Sequence, residues 1–448
     1  MQAYPIAPDV TLGLRAKLNV LRVFHTGPGV VRDECGPVAI IRFKPRWLLP
    51  PLAVVTSPQG IRDVLGGSDG SVDKADKVHA ETRAWGNNLF NLPHAKWTNR
   101  RRVIQPLFTK KHVASFADHI GAAADALTDS WLKQGSIDVD REIRKLTLRV
   151  LGQSIFGIDL GNRADDLAIP LENARRWVYG RISRPVRAPG WLPTPPRHRL
   201  RAALKAVRTV IDEAIASARD DPDSGAELIQ LLMNATDPET GRPLTDQAIS
   251  DELFIFVLAG HDTTSTTLTY ALWSLGRDPQ IQDRVAAEVS LLGDRPLTVD
   301  DVGSLPYTVR VIHESLRMCP PGAALTRSAM RDVVVDGFRV PAGTNFVIGI
   351  YAIHHDPAWW DDPETFDPDR FTPERSVGRE RWQFVPFGGG PRACVGQHFA
   401  MLEATLALAS IVRKVTLEST DPGFPLDLAF TVTAGAPIPA RVSARVSH

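Results

Sequence analysis

Cysteine is scarce in this chain. Its 448 residues include only Cys35, Cys319 and Cys394, far apart and without a C-x-x-C spacing. That argues against a disulfide framework and against a zinc site built on cysteine spacing, and it fits a reducing, cytoplasmic compartment. An excess of one charge is missing too: the formal net charge is +1, so composition gives no push toward nucleic acid or a strongly acidic partner. No apolar run reaches the roughly 18 residues expected of a membrane-crossing helix. The N-terminus, Met1-Gln-Ala-Tyr-Pro-Ile, has no charged segment leading into an apolar one. There is no internal repeat, low-complexity tract or obvious linker, and no Gly-rich dinucleotide fingerprint. A single domain over residues 1–448, with a large core, is expected.

Helical periodicity dominates. The apolar spacing predicts helices over 110–134, 140–155, 197–219, 245–275, 279–292 and 397–414. Strand-like pieces are fewer, at 38–43, 53–56, 331–339 and 345–349, the third divided by a turn at Asp336-Gly337. The fold class is therefore mainly α, a helical domain with small β-sheets at one side. The Pro- and Arg-rich segment from Arg181 to Arg201 reads as a loop between helices.

One segment carries chemistry above all others: Phe387-Gly-Gly-Gly390-Pro-Arg392-Ala-Cys394-Val-Gly396. Glycines let the backbone approach a flat cofactor and take turns that a Cβ obstructs. The sulfur lies just ahead of a helix start, where free N–H groups favour a thiolate. Arg392 has the reach and shape for an anionic group such as a haem propionate. An isolated cysteine in a glycine-rich loop is ordinarily inert, but here its neighbours complete a pattern. The segment resembles the haem-binding signature of the cytochrome P450 family, F-x-x-G-x-R-x-C-x-G, with every fixed position filled. The resemblance implies the P450 fold, haem b held between an oxygen-side helix and the cysteine loop, and Cys394 as the axial thiolate ligand to iron.

The stretch 251–275 is an unusual helix. Its first half is apolar nearly all round, then Asp262 stands beside four threonines. A buried carboxylate and hydroxyls need partners. A threonine hydroxyl returns to the carbonyl four residues back, which for Thr263 is that of Ala259, and a local kink eased by Gly260 is expected there. Ala259-Gly260-His261-Asp262-Thr263-Thr264 resembles the family's oxygen-binding segment. By that resemblance, Ala259 and Gly260 leave room for dioxygen beside the haem, Thr263 hydrogen-bonds the oxygen, and Asp262 relays protons from solvent. The plainer alternative is that Asp262 is a buried acid satisfied by its neighbours.

Glu314-Ser-Leu-Arg317 places a carboxylate and a guanidinium on one helix face. The same spacing recurs at Glu172-Asn-Ala-Arg175, which reads as a surface pair. The first copy precedes Phe366-Asp-Pro-Asp-Arg370-Phe371, the order of the family's E-x-x-R helix and its later arginine. The resemblance therefore groups Glu314, Arg317 and Arg370 as a buried structural triad. Trp97-Thr-Asn-Arg-Arg101 is similar to the family's W-x-x-x-R segment, whose side chains reach a propionate. Arg327 matches another propionate-binding arginine, and His94 is a looser match. The resemblance also puts Ile255, Leu258, Ala323, Ala324 and Leu325 in the wall of an apolar substrate pocket, and likens 181–201 to a lid over the entrance.

Lys96, Arg100, Arg101, Arg102, Lys110 and Lys111 form the densest basic run. It is either a solvated face or, as the resemblance suggests, the dock of an acidic ferredoxin served by a ferredoxin reductase. With no flavin or dinucleotide module visible, electrons are expected from such separate proteins. The resemblance spans Trp97 to Gly396 and is closest to soluble, bacterial-type members. It implies a monooxygenase that inserts one atom of dioxygen into an apolar small molecule by hydroxylation or epoxidation. Another haem-thiolate activity (peroxygenase, rearrangement or dehydration) and a haem sensor or carrier without turnover are the alternatives. Asp262-Thr263 argues against the first, and electron-driven oxidation separates the second. Lipid, terpenoid, steroid and polyketide substrates all remain open.

Overall fold

A computed structural model of the chain describes residues 4–13, 17–18, 20, 23–43, 49–182, 192–221, 225–237 and 241–445. Its axis is the helix Asp246–Arg277. Residues 249–258 are all buried: 253–258 are apolar with no polar face to offer solvent, and the polar Asp251 and Glu252 before them are paired with Arg208 and Arg100. The Thr245 hydroxyl caps its start by accepting from the Ala248 N–H. The helices Val139–Leu151, Pro195–Asp220, Pro306–Met318 and Gln397–Lys414 pack around it, and together they bury the larger of the molecule's cores.

Helix bounds depart from the sequence expectation where local competition is strong. Residues 110–134 form not one helix but three pieces, Lys110–Val113, a 3-10 turn at Ala114–Phe116 and Ala117–Gln134. At the junction the Ser115 hydroxyl donates to the His112 carbonyl, a local bond that competes with the helical ladder. The helix Val139–Leu151 ends in a π turn, Gly152–Phe156, closed by Gly157 at φ 67°. The helix Ala164–Ile182 contains Pro170, which interrupts the sequence signal without ending the element. The segment 181–201 is a shorter connection than expected. Its ends belong to the helices Ala164–Ile182 and Pro195–Asp220, the second opened by Pro195 at its first position. Residues 183–191 of that connection lie outside the described residues.

The β-structure is small and set to one side. A five-stranded sheet runs in the order Val38–Ile41, Leu52–Val55, Asn345–Gly349, Ala324–Ala329, Val72–Asp73, with a parallel pairing between the second and third. A two-residue turn at Asp336 (φ 49°) and Gly337 (φ 77°) joins Val333–Val335 to Phe338–Val340. Leu426–Leu428 and Val432–Ala434 form a further hairpin, and a three-stranded sheet pairs Ser136–Asp138, Pro439–Ala444 and Val415–Ser419. No described helix is long and apolar enough to cross a membrane.

The cysteine loop, residues 387–396, lies against the C-terminal end of the helix Pro58–Leu65. Gly390 has φ 66°, and a Cβ there would overlap the Leu65 carbonyl oxygen; one at Gly389 would overlap the Trp382 ring. The Gly390→Ala variant combines a left-handed backbone with that overlap, a cost of about 1–3 kcal/mol. Its melting temperature is expected to fall well below that of Gly423→Ala, whose added Cβ meets nothing within 4 Å.

Candidate active site

A cavity of about 450 Å³ opens between the middle of the central helix and the cysteine loop. Cys394, Phe387 and Gly396 wall it on one side, Ala259, Gly260 and Thr263 on the other, and Ile255, Leu258, Ala323, Ala324, Leu325, Arg327 and Arg392 complete the circuit. Phe24, Val78, Trp85, Phe90, Ile182 and Phe430 add an apolar upper wall; Trp85, Phe90 and Phe430 pack mutually edge-on or tilted, with centroids 5.5–5.9 Å apart. The Cys394 N–H donates to the Phe387 carbonyl at 2.9 Å, which folds the loop back on itself. Burial pushes the Cys394 thiol up, against the pull of the Gly396 N–H and the Arg101 guanidinium.

The polar end of the cavity is short of negative charge. Lys74, Arg327 and Arg392 meet there with one carboxylate, Asp73, which binds Arg392 at 2.7 Å and accepts the His94 N–H. Burial and the neighbouring arginines push Lys74 far down, and burial with Arg392 brings Arg327 down to about 10. Arg392 Nη1 is buried without a hydrogen-bond partner. Two arginines and Lys74 against a single carboxylate leave a slot, lined by aromatic and small residues, short of negative charge, and an anion placed there would favour the charged form of Lys74. Haem b carries two propionates and a flat apolar ring, so the residues present fit it, with Cys394 as the ligand to its iron.

Trp97 and Arg101 do not reach the cavity wall. Trp97 is buried behind Arg392, whose guanidinium sits 4.5 Å from its ring, and the His94 ring stacks on Trp97 with centroids 6.2 Å apart. Arg101 donates to the Ala393 carbonyl, next to the cysteine. Lys74 was invisible to sequence reasoning because a lone lysine in a loop carries no pattern.

The central helix runs unbroken through the oxygen-side segment. Thr263 Oγ1 donates to the Ala259 carbonyl at 2.7 Å, but the expected kink is no interruption of the helix. Gly260 serves packing as well: a Cβ there would come within 3.1 Å of Leu151. Asp262 points away from the cavity and is held by Arg144 at 2.5 Å and Arg175 at 3.5 Å. Burial alone would raise its carboxyl; Arg175, His261 and Arg144 outweigh that and hold it below the ordinary value. The neighbouring His261 is brought down to about 4, chiefly by burial, and bonds Thr147 at 2.8 Å.

Arg175 corrects the surface pair read at Glu172 and Arg175. It is 4% exposed, and Glu172 pairs instead with Arg176. Helix geometry explains the difference: Arg176 lies one full turn from Glu172, whereas Arg175 faces inward to Asp262, Thr431 and Thr433.

Glu314 and Arg317 form a fully buried two-pronged pair at 2.7 Å, and Arg370 Nε approaches Glu314 at 3.4 Å. Arg317 also donates to the carbonyls of His354, Pro363 and Thr365. The His354 ring nitrogen Nε2 accepts the Val385 N–H, two residues before the cysteine loop. The triad thus connects to that loop through one histidine.

The basic run divides. Lys96, Arg102, Lys110 and Lys111 are exposed. Arg101 turns to the cysteine loop, and Arg100 turns inward to Glu252 at 2.8 Å. Glu252 is fully buried, also accepts the Leu89 N–H, and is raised by burial to about 7.

The comparisons agree with this geometry. The profile described as Cytochrome P450 matches residues 30–434, and the chain belongs to the cytochrome P450 family. It is 36% identical over 334 residues to the cyclooctatin synthase of Streptomyces melanosporofaciens, covering 73% of this chain and 72% of that protein. It is 33% identical over 357 residues to cyclooctat-9-en-7-ol 5-monooxygenase of the same organism, covering 79% and 77%. A putative cytochrome P450 132 of Mycobacterium tuberculosis is 30% identical over 402 residues, covering 85% and 84%. Within that family the chain is a cytochrome P450 monooxygenase, an oxidoreductase; the family implies haem-thiolate iron, dioxygen and a supply of electrons from redox partners.

Two outcomes are expected. Arg317→Lys loses the planar fork and strands donors and acceptors in a dry site, a loss of about 3–5 kcal/mol; the variant is expected to purify with little haem, measured as the ratio of Soret to protein absorbance. Because Glu252 is raised from 4.5 to about 7, the folded protein binds more protons than the unfolded chain between those values, and stability falls as pH rises through that window. Glu252→Gln is expected to flatten that part of a melting-temperature series against pH.

Proposed function

We propose that the chain is a single haem domain that hydroxylates or epoxidises an apolar small molecule, with electrons delivered by a ferredoxin and its reductase. The carrying observation is the pairing, across one cavity, of Cys394 with Thr263. Haem b bound there through the Cys394 thiolate supplies the iron that activates dioxygen. Arg327, Arg392 and Lys74 would hold its propionates, with Trp97 and Arg101 supporting that end from behind. Phe387 and Gly396 shape the loop, and Ala259 leaves space on the oxygen side.

The remaining work falls to this chain's own side chains. Thr263 Oγ1 rests on the Ala259 carbonyl, from which it would turn its proton to bound dioxygen and so place a donor on the oxygen side of the cavity. Asp262 takes protons from the outer side of the helix and passes them on; its arginine partners keep it ionised, so it relays rather than stores them. Glu314, Arg317 and Arg370 keep the cysteine loop in place. The exposed Lys96, Arg102, Lys110 and Lys111 offer an acidic ferredoxin a docking face near Cys394.

The apolar upper wall supports a terpenoid-like substrate. Cyclooctat-9-en-7-ol 5-monooxygenase, by its name, oxidises a neutral alcohol, which points the same way. A carbon monoxide difference spectrum of the reduced protein tests the ligation: a thiolate-type Soret band is expected, and a neutral-ligand band or none would overturn the reading. With ferredoxin, reductase and a converted substrate, Thr263→Ala is expected to keep haem and NAD(P)H consumption while product formed per NAD(P)H falls about tenfold or more and peroxide takes its place, the size of a lost proton-transfer group. Unchanged coupling would remove Thr263 from that role.

A further inference from the structure

Resting on the monooxygenase reading, we infer that the substrate is uncharged and carries an acceptor oxygen (an alcohol, ketone or ether) to which the Thr431 hydroxyl donates.

Neutrality follows from the charges facing the cavity. Lys74, Arg327 and Arg392 are balanced by Asp73 together with the two propionates of haem b. Arg175, the other arginine in the wall, is balanced by Asp262; Arg144, the second partner of Asp262, has Asp140 at 2.7 Å. His25 also lines the cavity, and burial lowers it, favouring the neutral ring. No aspartate or glutamate lines the cavity among the described residues. A carboxylate substrate therefore meets no spare cation and an ammonium no anion, so either would lose its hydration without a partner.

The acceptor oxygen follows from the bonds of Thr431. Arg175 Nη1 donates to Thr431 Oγ1 at 3.1 Å, to its carbonyl at 3.3 Å and to Thr433 Oγ1 at 3.2 Å. A hydroxyl that accepts from a guanidinium must direct its own proton elsewhere, and among the described residues no acceptor takes it. Thr431 lines the cavity; Thr433, 1% exposed, does not. Around Thr431 the wall is Leu428, Ala429, Phe430 and Val432. The result is a donor, polarised by a cation, set in a locally apolar stretch of the wall, an arrangement that orients a substrate through one placed polar contact. A hydrocarbon leaves that donor dry, a loss that an oxygenated molecule of the same shape avoids.

Purified holoenzyme titrated with adamantane, 1-adamantanol and adamantane-1-carboxylate, followed by the spin-state change of the Soret band, tests this. The alcohol is expected to bind about fivefold tighter than the hydrocarbon, the value of one net hydrogen bond. The carboxylate, ionised at about pH 8, is expected to bind about tenfold or more weaker than the alcohol. Thr431→Val removes the alcohol's advantage, Thr431→Ser retains it, and Thr433→Val retains it because that hydroxyl bonds Arg175 without facing the cavity. Equal binding of alcohol and hydrocarbon, an advantage that survives Thr431→Val, or a carboxylate that binds as well as the alcohol overturns the inference. So does silence from all three ligands when the carbon monoxide band is thiolate-type. Loss of that band in the wild-type protein would instead sink the haem-thiolate reading.

Discussion

A carboxylate and two guanidinium groups share a space closed to water at Glu314, Arg317 and Arg370, and the path of the chain on several sides follows from satisfying them. Arg317 spends two donors on Glu314 and the others on carbonyls at His354, Pro363 and Thr365. Glu314 takes the Asp367 N–H besides. Taking these charges out of water is costly, and a well-packed apolar cluster would stabilise the chain as well or better. What the charges add is direction. They tie the His354, Pro363 and Thr365 carbonyls and the Asp367 N–H to one buried point. His354 then hands that geometry to Val385, and the cysteine loop starts from a fixed point.

The other charges of the interior obey a similar rule at lower density. At one end, cations gather with too few carboxylates, a deficit that the propionates of haem b would fill. On the far side of the central helix, Asp262 and Asp140 are matched by Arg144 and Arg175. Between these two places the cavity wall is apolar apart from a few hydroxyls. Dioxygen chemistry would benefit from that separation, since stray water near the reacting centre wastes electrons.

Much of the site was legible before the structure because its signals are local. Gly390 and Cys394 lie in one loop, and the need for glycine there is written into a left-handed turn against Leu65. Glu314 and Arg317 stand one turn apart on the same helix, and the threonines of the central helix bond their own backbone. The features that escaped depend on distant partners. Arg175 looked like half of a surface pair because its real partners, Asp262 and Thr431, belong to other elements, and Pro170 disguised the helix that carries it. Lys74 belongs to no motif and acquires meaning only beside Arg327 and Arg392. The same holds for the fold: the long apolar helix was plain from periodicity, whereas the break at Ala114–Phe116 and the early start at Pro195 were settled by hydroxyl competition and by proline at a helix entrance.

Glu252 has a consequence for how this enzyme can change over evolutionary time. One carboxylate joins Arg100, on the helix of the basic face, to Leu89, in the strip of chain between Trp85 and Phe90 that forms the upper wall. Its neighbour Asp251 accepts the Asn87 N–H in the same strip and leaves Gly86 no room for a side chain. Lineages that reshape this strip to admit a new molecule must therefore preserve the backbone N–H positions at Asn87 and Leu89, or else disturb the helix from which the basic face is built. Diversification is channelled into the side chains of Trp85 and Phe90, which line the cavity, while the thread that carries them stays in place.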